Sequence, residues 1–228
     1  MMGKSKYLLS IATIAVFLAA GPVQAGPTSY SGSLTTADGG LVGSGGSWVT
    51  DPDHDVTFSW TVTQNADLSW HYEYTFDSTG IRGDISHLVI ETSATFTAND
   101  IFNDTPAVDG DGPDFHGEAN GNPNIPETIF GVKFQNPATS VMAVEFDSWR
   151  VPVWGDIFAK GGAVSGELWN AGFTSPDFDP AVAPRDGSVD YHVLVPDTTT
   201  STVPAPGALV LAGLGVAGVS RLRRRRVL

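Results

Sequence analysis

The 228-residue chain has no cysteine, which excludes a disulfide framework, a thiolate metal site and a cysteine nucleophile together. Basic residues are scarce through its middle. Between Asp38 and Asp197 only Arg82, Lys133, Arg150, Lys160 and Arg185 stand against all 25 Asp and Glu. A body this acidic repels phosphate backbones and anionic head groups, so nucleic acid is excluded as a partner. Motifs of catalysis are missing too: there is no G-x-S-x-G, HExxH, phosphate-binding loop or GxGxxG, and the five histidines are scattered singly. A carboxylate pair of glycosidase type is defined in space rather than in sequence, so a secreted glycan-acting hydrolase stands as the alternative to a non-enzymatic role. Between the two ends, no segment carries a 3.6-residue apolar stripe.

What is present begins with an export signature. Lys4 and Lys6 precede the apolar run YLLSIATIAVFLAA, and Val23-Gln24-Ala25 places small residues where signal peptidase cuts, between Ala25 and Gly26. Residues 1–25 are therefore a signal peptide. Residues 26–196 follow as an exported domain.

That domain reads as β structure. In DVTFSWTVT, Val56, Phe58, Trp60 and Val62 alternate with polar residues, and in LSWHYEYTF, Leu68, Trp70, Tyr72, Tyr74 and Phe76 do the same. The turn residues QNAD between them predict a hairpin, with Trp60 and Trp70 facing the core. Further short strands are expected at 87–96, 129–134, 140–149, 164–170 and 189–195, all separated by Gly, Pro, Asn and Asp clusters. Residues 26–47 are Gly-, Ser- and Thr-rich, a loose leader or an edge hairpin, and 99–128 forms one long interruption. About seven to nine strands without a βαβ rhythm predict an all-β fold, an antiparallel β-sandwich of jelly-roll or immunoglobulin-like type.

Candidate sites are few. DGDGPD, with Asp109, Asp111 and Asp114 and with Glu118 close behind, gathers the carboxylates that calcium takes, although its spacing fails the EF-hand pattern. Asp51 to Asp55, DPDHD, could bind a metal but reads better as a turn, and Arg82-Gly83-Asp84 is also read as a turn. Sugar rings pack on exposed aromatic faces. Trp149 and Trp154 flank RVPV, and Trp154 and Trp169 are the candidate contacts to extracellular polysaccharide. His71 and His192 are placed on the polar faces of their strands.

The C-terminus breaks with everything before it. DTTTSTV (197–203) is a polar linker into VPAPGALVLAGLGVAGVSRLRRRRVL, whose 18 residues from Val203 to Ser220 carry no charge. As a helix that span is about 27 Å long, barely enough for a hydrocarbon core of roughly 30 Å. Arg221, Arg223, Arg224, Arg225 and Arg226 would hold its far end in the cytoplasm while the body stays outside. A Pro-x-Pro motif, a short Gly/Leu-rich helix and a terminal Arg cluster resemble the PEP-CTERM protein-sorting signal of Gram-negative bacteria, also labelled as a C-terminal region of ice-binding proteins. On that resemblance Pro204, Ala205 and Pro206 stand for Pro-Glu-Pro, Leu209 to Val219 for the transmembrane helix, and Arg221 to Arg226 for the stop. The chain departs from the family at Ala205. The resemblance implies export, retention in the membrane through residues 204–228, processing by an exosortase-type enzyme, and delivery to the cell surface or exopolysaccharide matrix. DISHLVIETSATF and VPVWGDIFAKGG also resemble the choice-of-anchor domains that accompany such tails.

Overall fold

Alternating aromatic residues build the first sheet. Strands β3 (Thr57–Gln64) and β4 (Trp70–Asp77) pair antiparallel as the expected hairpin, and the Asn65 amide closes the turn by donating to the Ser69 carbonyl at 2.8 Å. Phe58, Trp60 and Val62 point inward beside Tyr72, Tyr74 and Phe76, while the Thr and Ser residues between them face out. The computed structural model describes residues 28–106, 112–173 and 179–197. The expected signal peptide, Asp109 and Asp111, and the linker and sorting tail from residue 198 onward lie outside the described residues. Among the described residues, no helix is long and apolar enough to cross a membrane.

The remaining strands are β1 (Ser29–Thr35), β2 (Leu41–Ser44), β5 (Ile85–Glu91), β6 (Ile101–Thr105), β7 (Asp114–His116), β8 (Ile129–Thr139), β9 (Val141–Ser148), β10 (Pro152–Gly155), β11 (Ile157–Gly161), β12 (Glu167–Asn170) and β13 (Val193–Pro196). They form a five-stranded sheet in the order β1-β3-β4-β9-β6, a six-stranded sheet in the order β2-β12-β11-β5-β8-β7, and the pair β10-β13. Every pairing between these strands is antiparallel. The two large sheets pack as the expected sandwich. One apolar cluster joins Phe58, Tyr74 and Phe146 of the first sheet to Leu88, Ile90, Val132 and Phe134 of the second, and the Phe134 and Phe146 rings stack at 5.8 Å across the interface. Aromatic pairs of this kind add about 0.5–1.5 kcal/mol beyond the area they bury.

Three expectations change. Residues 26–47 are not an edge hairpin: β1 and β2 close the edges of two different sheets, with too few inward residues to show an alternating pattern. Gly32 of β1 lies directly under Trp60, where a Cβ would come within 2.3 Å of the indole. Glycine is needed at this point because a side chain cannot enter. The interruption at 99–128 contains β6 and β7, and its last part covers the outer face of the six-stranded sheet. There Ile125 joins Val89, Ile129 and Phe158 in a second apolar cluster, the Lys160 ammonium donates to the Gly121 carbonyl, and His87 bonds Asn122. This cover buries β5 on both faces, which is why HLVIE reads as a nearly continuous apolar run. The strand expected over 87–96 accordingly ends at Glu91, and Thr92 to Phe96 turn away.

Candidate functional site

On the outer face of the five-stranded sheet, β9 and edge strand β6 place Phe102 opposite Asp147. Trp149 follows β9 with 57 % of its surface exposed, and its ring lies 5.6 Å from that of Phe102. Beside this pair Asp147 accepts three hydrogen bonds, from Asn103 Nδ2 at 2.7 Å, His71 Nδ1 at 2.8 Å and Asn65 Nδ2 at 3.2 Å. Partial burial raises the Asp147 pKa, but the bonds from Asn103, His71 and Asn65 outweigh it and hold the carboxylate below its ordinary range. An exposed aromatic platform thus adjoins a fixed set of amide, imidazole and carboxylate groups. That combination suits hydroxyl-rich ligands with apolar ring faces.

A second constellation is internal. At one end of the six-stranded sheet, Glu91 closes β5, Asp156 lies between β10 and β11, and Asn170 closes β12; all three are fully buried. Asp156 N–H donates to Glu91 Oε2 at 2.8 Å, and Asn170 Nδ2 donates to Asp156 Oδ1 at 2.6 Å. His192, just before β13, brings Nε2 to 3.6 Å from Asp156 Oδ1 and 3.7 Å from Asp179 Oδ1. Burial, then the Asp179 and Asp156 carboxylates, push the Glu91 pKa well above its ordinary value. Burial lowers that of His192, against the hydrogen bonds its ring donates to the backbone of Val189 and Asp190.

The candidates drawn from sequence separate accordingly. Trp154 does not face solvent: it is 1 % exposed, because all four residues of β10 are buried, and glycan contact there is overturned. Trp169 is half-buried on β12, packed against the second apolar cluster, with part of its surface open. Trp60 and Trp70 lie in the core as expected. Of the calcium candidates, Asp114 on β7 and Glu118 in a 3-10 turn are both exposed, and Asp114 Oδ1 accepts the Phe115 N–H. DPDHD is a turn, its Asp51 Oδ1 accepting the N–H groups of Asp53 and His54. Arg82-Gly83-Asp84 is a turn as well, with the Asp84 carbonyl taking up Gly162 N–H and Ser165 Oγ. His71 lies on the polar face of its strand, whereas His192 is buried at 3 % exposure. The internal cluster escapes a reading of the sequence because its members span residues 91 to 192. Its one local signal is an acid set inside an apolar run, Asp156 in VPVWGDIFA.

Residues 202–226 match the PEP-CTERM protein-sorting motif. The match coincides with the Pro-Ala-Pro motif, the apolar run and the arginines. The motif implies an exported protein, sorted to the cell envelope or surface and processed by an exosortase-type enzyme. No curated protein and no solved structure matches the chain.

Proposed function

We propose that this is a cell-surface or extracellular-matrix protein of a Gram-negative bacterium that binds extracellular polysaccharide without turning it over. The signal peptide is cut between Ala25 and Gly26, the short helix from Leu209 to Val219 holds the chain in the membrane, and cleavage near Pro204-Ala205-Pro206 releases the acidic body. The observation that carries the binding role is exposed Trp149, set against half-buried Phe102 beside Asn103, Asp147 and His71. Trp169, open on the other sheet, is a second contact. Acidity favours neutral glycans over anionic ones. Glu91 and Asp156 are buried, which keeps their carboxylates from a polymer chain.

The test is co-sedimentation of the protein with exopolysaccharide from its own cells. Trp149→Ala is expected to weaken retention about tenfold, the loss of roughly 1.4 kcal/mol, while the melting temperature stays unchanged because the ring is exposed. Equal retention by Trp149→Ala and Phe102→Ala, or shortening of the polymer during incubation, would overturn the reading.

A further inference from the structure

The internal carboxylate–histidine constellation poses a problem of hydrogen-bonding polarity. His192 Nδ1 lies 3.2 Å from the Val189 carbonyl oxygen. A carbonyl can only accept, so Nδ1 carries the hydrogen and a neutral ring presents its lone pair at Nε2. That lone pair faces carboxylate oxygens of Asp156 and Asp179, which are acceptors too. Nε2 itself makes no hydrogen bond, and neither does Glu91 Oε1, although both are buried. Three carboxyl groups and an imidazole lone pair therefore converge in a desolvated space.

We infer that Asp156, Asp179 and His192, with Glu91 beside them, form a structural site for one divalent transition ion of the zinc or manganese class. The ligand atoms of Asp156, Asp179 and His192 all lie within 4.8 Å of one another. Donors bound tetrahedrally at about 2.0–2.2 Å stand roughly 3.4 Å apart, close to the separations of 3.6 and 3.7 Å from Nε2. One nitrogen with carboxylate oxygens suits a first-row ion better than calcium, which takes six to eight oxygens. The surroundings are those of a metal centre. Val189 fixes the imidazole tautomer, and Asn170 orients the Asp156 carboxylate while its Oδ1 accepts the Ile157 N–H. Gly172 packs against the same ring, where a Cβ would come within 2.8 Å of His192. An ion here would join the ends of β5 and β12, the β10–β11 junction, the segment at Asp179 and the approach to β13, a cross-link for an exported chain without cysteine.

The experiment measures metal content and melting of the full chain after chelation and reloading, with zinc, manganese and calcium in parallel arms. One zinc or manganese ion per chain is expected, with a melting temperature raised by the ion, lowered by chelator and indifferent to calcium. His192→Gln and Asp156→Asn should lose that ion, whereas Asp114→Asn with Glu118→Gln, or Glu145→Gln on the outer face, should keep it. Should the cluster variants fail to fold, cobalt added to the wild-type protein decides: visible absorption bands of a nitrogen–oxygen site, bleached by zinc, are expected. Substoichiometric metal with no thermal response and no cobalt bands would overturn the site and leave shared protons holding the cluster. Preferential binding of calcium, or full zinc binding by a folded His192→Gln variant, would overturn the assignment as well.

Discussion

Replacing Arg150 by Met should weaken the whole sandwich, because one guanidinium joins three segments at the point where the body gives way to the linker. Nε and Nη2 donate to the two Asp100 oxygens at 3.1 and 3.2 Å, and Nη1 donates to Asp197 Oδ2 at 2.8 Å. Thr95 accepts at its carbonyl and hydroxyl oxygens, and the guanidinium carbon lies 5.8 Å from the Phe96 ring centroid. A hydrogen bond to a charged group contributes about 1.5–3 kcal/mol. These side chains keep 18–23 % of their exposure, and bonds sharing one group are not additive, so a loss of about 2–4 kcal/mol is expected in all. For a domain of this size that is roughly 5–15 °C in melting temperature. Asp100 adds a pH signature. Its burial raises the pKa, but hydrogen bonds from Arg150 and Thr97 outweigh that and leave it lowered. The unfolded state then binds the proton more readily, so the contribution is complete above the ordinary carboxylate pKa of about 4 and fades as the pH falls through the lowered folded value. Urea unfolding from pH 7 down to pH 3 measures both effects. A variant with an unchanged midpoint at pH 7, or with the same acid dependence as the wild type, would refute this account of Arg150.

Trp154→Ala should destabilise by about 3–5 kcal/mol through cavity formation, seen as a lower urea midpoint, with polysaccharide retention unchanged in whatever fraction stays folded. His87 should make stability sensitive to mild acid: burial, only partly offset by its bond to Asn122, holds its pKa down at about 4. Between that value and its ordinary 6.5 the folded state holds fewer protons than the unfolded one. Stability therefore falls as pH drops through this window, by up to about 1.4 kcal/mol per pH unit, and His87→Gln should flatten that slope in pH-dependent unfolding curves.

The sandwich was legible where one face of a strand is buried and the other wet. TFSWTVTQ and WHYEYTF alternate because their aromatic residues face a core and their Thr, His and Glu residues face water. Legibility failed at the margins and at the centre. The edge strand Ser29–Thr35 buries only Leu34 fully, so its pattern is too faint to separate from a loop. At the centre, VPVWGDIFA has no alternation because β10 is buried on both faces, and without a polar phase Trp154 could be taken for a surface residue. That unbroken run is itself the mark of a covered strand. The Trp149–Phe102 platform depended on strand order, since Phe102 and Trp149 come together only through the pairing of β6 with β9. The sorting tail needed no fold at all, because its proline motif, apolar run and arginines are contiguous.

The central claim is that the chain consists of an acidic body delivered by a removable tail. Mass spectrometry of the protein recovered from the cell surface and growth medium tests it directly. The account predicts a mature form that begins at Gly26 and ends near Val203 to Pro206, lacking every arginine from Arg221 to Arg226. A surface protein that keeps its arginine tail intact would contradict it.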